Sequence, residues 1–362
     1  MDETQTLLQE VSPDGNLEVS VDQDARVVHM YLRAPNNDGF GLKSCWVRNL
    51  TAAPENLDVM AMRDGQPPLL PARFCAHPNG QQALNAQDLQ IVWFPEGDGV
   101  ALFEQDELLA AIPGWSEKGG FHGYARDCRG EGPLCWELGA ENAMHRRIAE
   151  ARRYWAEWDA TEELWPRVQE RLMVEYERVL GRHSRYFAID GGAWPPRGLA
   201  LYEVRDRVYL LTIGLSIRPQ PVVEMYTKTP EEVRRIELGA CFDRSVSMAA
   251  VKAFASYMSS LASLPWQQIT FLGDGHTVGC DVFGNEDGLQ PFSAVLLAKQ
   301  AQETPEVVMP QFGIDRVPLL WCVPITAAER ALAESSGSRA LISRFSGGLP
   351  PVLVKPRKPV VG

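Results

Sequence analysis

Several signatures that would mark an enzyme or a membrane protein are missing from this 362-residue chain. No stretch approaches the roughly 18–20 consecutive apolar residues of a helical membrane span. The opening Met1-Asp2-Glu3-Thr4-Gln5 has neither the basic nor the apolar region of a signal peptide, so a cytoplasmic location is expected. No CxxC pair occurs among the seven scattered cysteines (Cys45, Cys75, Cys128, Cys135, Cys241, Cys280 and Cys322), which speaks against a disulfide scaffold or a ribbon-type zinc site and for small buried thiols. GxSxG and GxxxxGK[ST] are absent, and Ser346-Gly347-Gly348 lacks the flanks of a nucleophile turn. The sequence therefore predicts no catalytic residue and no cofactor.

Two sets of metal-capable side chains remain. His122, Cys128, Cys135 and His145 have gaps that fit no zinc finger or knuckle, and His276, Cys280 and Asp281 have no second cluster to complete a tetrahedral set. Ordinary loop histidines and buried thiols account for both. Trp155, Trp158 and Trp165 fall close together on a helical stretch, but nearby carboxylates oppose base stacking, and packing is the better reading. The acid pairs Glu162-Glu163 and Glu231-Glu232 sit where helices begin and complement the helix dipole.

Charge is unevenly placed. The formal net charge is −12, and residues 1–110 hold 17 acidic against 6 basic side chains, so nearly all the excess lies in the first third. Such a surface repels nucleic acid and anionic membranes and steers cationic proteins toward it. Residues 271–298 form a second acidic stretch, with Asp274, Asp281, Glu286 and Asp287 and no Lys or Arg.

Length and hydrophobic periodicity indicate an α+β chain of two domains. Residues 1–133 read as an acidic β-rich domain, with strands expected at 16–21, 26–32, 43–47, 57–62, 89–94 and 100–103 and a hairpin turn at 22–25. Glycines 114, 119, 120, 123, 130 and 132 mark a loop-rich stretch before a helical connector at 134–181, in which Pro166 fits a helix start or kink and Gly181 a stop. Residues 182–349 mix strands (199–204, 207–216, 267–272, 292–297, 318–324) with helices at 247–261 and 326–335, the latter opened by a capping box of Thr326 and Glu329. The tail at 350–362 is proline-rich and extended, with little capacity to pack alone.

Three segments carry a family resemblance: Tyr209-Leu-Leu-Thr-Ile-Gly-Leu-Ser216, residues 307–321, and Val323-Pro-Ile-Thr-Ala-Ala-Glu-Arg-Ala-Leu-Ala-Glu334. Their order and spacing resemble the suppressor-of-fused domain, which opens on a strand ending in a Gly-Leu-Ser-like turn and closes on a buried strand running into a capped helix. Asp274-Gly-His276 is similar to that family's Gly-Asp-His loop, with the residue order changed. The resemblance spans about residues 199–345 and implies a mixed α/β sandwich and a binding role. Animal members sequester a transcription factor, and bacterial members are found as immunity proteins beside secreted toxins, many of them nucleases, type VI secretion among the delivery routes.

The expected function is thus stoichiometric neutralisation of a basic protein toxin, with no direct contact to nucleic acid or membrane. Charge and expected exposure nominate Asp22, Asp24, Glu96, Asp98, Glu104, Asp106, Glu107, Asp274, Glu286 and Asp287 as partner contacts. An adaptor or chaperone for a secreted effector is the alternative. A metal-dependent hydrolase built on the histidine sets is a more remote one.

Overall fold

The computed structural model describes residues 4–159, 161–192 and 195–361, the side chains of 158, 159 and 161–163 excepted. Trp158, Glu162 and Glu163 therefore lie outside the described side chains. The strands in chain order are β1 Gln5–Val11, β2 Glu18–Gln23, β3 Val27–Arg33, β4 Leu42–Asn49, β5 Leu89–Trp93, β6 Val100–Glu104, β7 Glu107–Ile112, β8 Tyr124–Ala125, β9 Trp136–Glu137, β10 Arg185–Ala188, β11 Gly198–Val204, β12 Arg207–Ile213, β13 Glu237–Asp243, β14 Thr277–Gly279, β15 Phe292–Ala298, β16 Gln311–Phe312, β17 Asp315–Arg316, β18 Leu319–Thr326 and β19 Leu353–Val354. The α-helices are α1 Val59–Arg63, α2 Ala143–Asp159, α3 Thr161–Leu180, α4 Val223–Tyr226, α5 Met248–Leu261, α6 Leu264–Gln268, α7 Ala327–Ser336 and α8 Ser338–Ile342. The protein is α+β, with a β-rich N-terminal part.

The chain divides into two compact units, the first formed by Met1–Ala156 with Pro221–Thr227 and Trp266–Ile269, the second by the remainder. The first unit holds an antiparallel sheet β1-β2-β3-β4 and a five-stranded sheet β5-β6-β7-β8-β9. Strand alternation explains both faces of the latter. Val100 and Leu102 join the main core with Val21, Met30 and Trp46, while Ala101 and Phe103 face the other way onto Met144, Ile148 and Ala151 of α2. The glycine-rich stretch lies inside this unit, where β8 and β9 extend the sheet. Residues 57–62, expected as a strand, instead form α1, because Asp58 accepts a hydrogen bond from the Ala61 amide and caps a helical turn.

The second unit is organised on an eight-stranded mixed sheet ordered β10-β11-β12-β13-β18-β15-β14. Strand β13 pairs in parallel with β18 through Glu237–Gly239 and, further along, with β19 through Cys241 and Phe242. Leu164, Val168, Leu172, Tyr176 and Leu180 recur every fourth residue on the buried face of α3, and Tyr176 donates to the Thr212 carbonyl at 3.0 Å. Pro166 lies inside α3 rather than at its start. Residues 267–272 contain the end of α6 and no strand.

Two buried carboxylates fix the local geometry of this unit. Glu237 accepts from the Thr212 hydroxyl (2.6 Å), the Gly214 amide (3.0 Å), the Ser216 amide (3.0 Å) and the Ser216 hydroxyl (2.7 Å). These bonds hold the Gly214-Leu215-Ser216 turn, where Gly214 adopts φ +87° and the Trp165 ring packs so closely that a Cβ would collide with it. Glu329 completes the expected capping box with Thr326 and is fully buried. Arg357 grips the Glu329 carboxylate with two bonds of 2.6 and 2.7 Å, and the Val360 amide adds a third donor at 2.9 Å. The extended proline-rich tail, with little to pack on alone, packs here against upstream elements: β19 joins the sheet, and the Arg357 guanidinium also lies over the Phe292 and Phe345 rings at 5.0 and 5.2 Å.

Replacing Glu237 with Ala strands four donors in the interior and should cost about 3 kcal/mol or more in urea unfolding. Arg357→Ala leaves the Glu329 charge buried without its cation and should cost about 3 kcal/mol. A change within experimental error in either melt would show that these carboxylates do not carry the structure.

Candidate partner-binding surfaces

The ten nominated acids separate into three groups. Asp24 is mostly occupied by its own turn, accepting from the Arg26 and Val27 amides (2.6 and 2.8 Å) and pairing with the Arg26 guanidinium at 3.0 Å. Asp22 accepts from the Thr6 hydroxyl at 2.8 Å beside the Glu18–Arg33 ion pair of 2.6 Å. Glu104 pairs with Arg48 at 3.0 Å, and the exposed Glu107 with Arg126 at 2.6 Å. Asp106 stands exposed at the β6–β7 turn. Much of the N-terminal acid excess is therefore neutralised locally.

Glu96 and Asp98 are corrected outright. They were nominated as solvent-facing, but their exposures are 4% and 0%. Arg147 of α2 reaches both Glu96 (2.8 Å) and Glu224 of α4 (2.7 Å), and Asp98 accepts from the Val222 amide at 2.6 Å. Nearby, the Lys43 ammonium donates to the Gly114 carbonyl at 3.0 Å, and Gly114 has no room for a Cβ because the Asp98 carboxylate occupies that space. A charge count cannot see this arrangement, since Arg147 and Glu224 are far from position 96 in the chain. Burial of three carboxylates near one another has a cost. Burial first, then the Glu96 and Glu224 charges, push the Asp98 carboxyl up to about 6, against the opposing pull of Arg147 and the Val222 amide. Burial alone would weaken the Arg147 proton affinity, but Glu96, Glu224 and Asp98 outweigh it and keep the guanidinium charged.

The third group lies at one end of the eight-stranded sheet. Strand β14 closes the strand order and, among the described residues, pairs only with β15. The Cys280 amide donates to Ser293 O and the Leu297 amide to His276 O, so by alternation Thr277 and Gly279 point their amides and carbonyls away from β15. Asp274 precedes this edge and Asp281 and Asp287 follow it, all three exposed, with no Lys or Arg between 271 and 298. Asp274 accepts from the Lys299 amide at 2.8 Å, which sets the loop. Glu286 has a structural role, taking both the amide (2.8 Å) and the hydroxyl (2.6 Å) of Ser247, the N-cap of α5. Asp281 was grouped with a metal set in the sequence and omitted from the contact residues, yet it flanks the edge. Its signal was present in the uninterrupted acidity of the stretch.

Neither histidine set converges on a metal. His122 lies 3.2 Å from Glu117, His145 contacts Gly139 O at 3.2 Å, and the Cys128 thiol donates to Cys135 O at 3.2 Å. Burial raises the Cys280 thiol to about 11 and lowers the affinity of His276 for its proton. Among the described residues, no group of three or more His, Cys, Asp or Glu side chains is placed to hold a metal ion, and no helix is long and apolar enough to cross a membrane. The tryptophans do not form one platform either: Trp155 donates to Trp93 O at 2.6 Å in the first unit, and Trp165 packs on Gly214 in the second.

A turn held by a buried carboxylate, a parallel central pair and a capped closing helix together define a mixed-sheet domain. Residues 197–358 match the family described as Suppressor of fused protein (SUFU). No curated protein matches the chain.

Because Asp98 is raised above its ordinary value of 3.8, its contribution to stability is full below that value and is lost as pH rises through about 6. Wild-type protein should gain about 1.4 kcal/mol between pH 7.5 and 5 relative to Asp98→Asn, whose side chain stays neutral. Parallel urea stability profiles for the two proteins would refute an ionised Asp98 at neutral pH.

Proposed function

We propose that the protein is a non-catalytic, cytoplasmic immunity protein that binds a basic toxin stoichiometrically and blocks it. The observation that supports this most is the acid-flanked outer edge of β14. An extended segment of the partner adds to this edge through the open amides and carbonyls of Thr277 and Gly279, and its Arg or Lys side chains pair with Asp274, Asp281 and Asp287. Arginines that a nuclease uses to grip phosphate suit such carboxylates, because a planar guanidinium bonds both oxygens at once. The net charge of −12 adds long-range steering, which raises association rate more than affinity. The match of residues 197–358 to a family whose resemblance implies binding supports the same reading.

Co-expression with a toxin encoded in the neighbouring reading frame tests this directly, since an immunity protein restores growth whereas an adaptor aids delivery without protecting. In surface-binding kinetics with that toxin, D274K/D281K/D287K should slow association about tenfold and flatten its salt dependence. Gly279→Pro removes an outward amide and should speed dissociation. Unaltered rates in both variants would remove β14 as the contact.

A further inference from the structure

The opposite end of the same sheet carries a different feature. Strand β10 closes the order there, and β10, β11 and α5 enclose a half-open groove of about 390 Å³. Register explains its floor: Arg185 pairs with Leu201 and Phe187 with Leu199, so these side chains share one face of the sheet. Met248, Val251 and Ala255 of α5 form the wall, and the spacing of 3 and 4 residues puts them on one helical stripe with Lys252 and Ser256. The groove exists because this stripe runs out of bulk at Ala255, Ser256 and Ser259.

Its chemistry is amphiphilic. The lining is mainly apolar, it includes no carboxylate, and its two charged members, Arg185 and Lys252, are both exposed cations that form no ion pair among the described residues. Leu199 and Leu201, at 1% and 2% exposure, lie beneath the groove, and its accessible apolar surface comes from the partly exposed Phe187, Ile189 and Met248. The volume lies at the low end of the range for small-molecule pockets. A packed helix needs more room, whereas a single alkyl chain fits a narrow apolar floor.

We propose that this groove binds a single-chain anionic amphiphile, a medium-chain carboxylate, with its alkyl chain against Phe187, Ile189 and Met248 and its head group between Arg185 and Lys252. The site is independent of the acidic β14 edge, so either reading can fail without the other. Burial of the methylenes supplies the affinity, and the two cations select the sign of the head group.

Calorimetric titration of the full chain with dodecanoate, kept below its micelle concentration, tests the proposal. One saturable site is expected, with dodecyltrimethylammonium bound at least about tenfold more weakly. R185E/K252E should weaken dodecanoate about tenfold. Ser256→Phe, an exposed position whose ring would lie over the groove, should abolish binding while leaving the urea melt unchanged. The proposal falls if the wild type shows no saturable uptake, if both amphiphiles bind equally, or if the folded Ser256→Phe protein binds dodecanoate like the wild type.

Discussion

The second unit depends on one buried carboxylate. Glu237 begins β13, and from there it gathers the Thr212 and Ser216 hydroxyls and the Gly214 and Ser216 amides onto two oxygens. Burial works against its charge, and the four donors work for it. The direction in which the chain leaves β12 follows from this grip. So does the setting of Arg235, which bonds the Ser216 carbonyl at 2.8 Å and Asp315 at 3.0 Å, tying the turn to the β16–β17 hairpin. Gln220 extends the same network, taking the Leu272 amide at 2.8 Å and donating to the Val233 and Leu272 carbonyls. The loop that leads into the Asp274 edge is therefore anchored by Gln220.

Charge in this protein is spent in two ways. In the first unit most nominated acids have a local cation or a backbone donor, and Glu96 and Asp98 are interior groups whose role is to hold α2 and the 221–227 segment against the five-stranded sheet. In the second unit the acids around β14 remain at the surface without a neighbouring cation in the chain between 271 and 298. Net charge summed over a third of a sequence measures long-range field, and it does not locate a contact. Arg330 reaches the Gly279 end of this edge, where Glu334 holds it at 2.7 Å.

Much of the sheet was legible because alternation is a local property. Val19, Val21, Met30 and Leu32 are buried at the spacing that the strand period requires, and Thr326 with Glu329 announced α7 unaided. The failures were non-local or depended on caps. Residues 57–62 looked like a strand because their apolar content was read without Asp58 as an N-cap. The tail looked unpackable alone, and it is, but it packs because Glu329 and β13 offer it partners far upstream. The same reasoning applies to the site: the acidity of 271–298 was visible, whereas the free edge that gives it meaning emerges only from sheet order.

The divided pairing of β13 has a consequence for synthesis. Its first half is completed by β18, but Cys241 and Phe242 wait for Leu353 and Val354. Until that segment leaves the ribosome, the middle of the sheet presents a hydrophobic, unpaired edge, the feature on which nascent chains most readily aggregate. Among the described strand pairings of this unit it is the most distant in sequence, and pairing at such separation slows folding and lengthens the exposure of that edge.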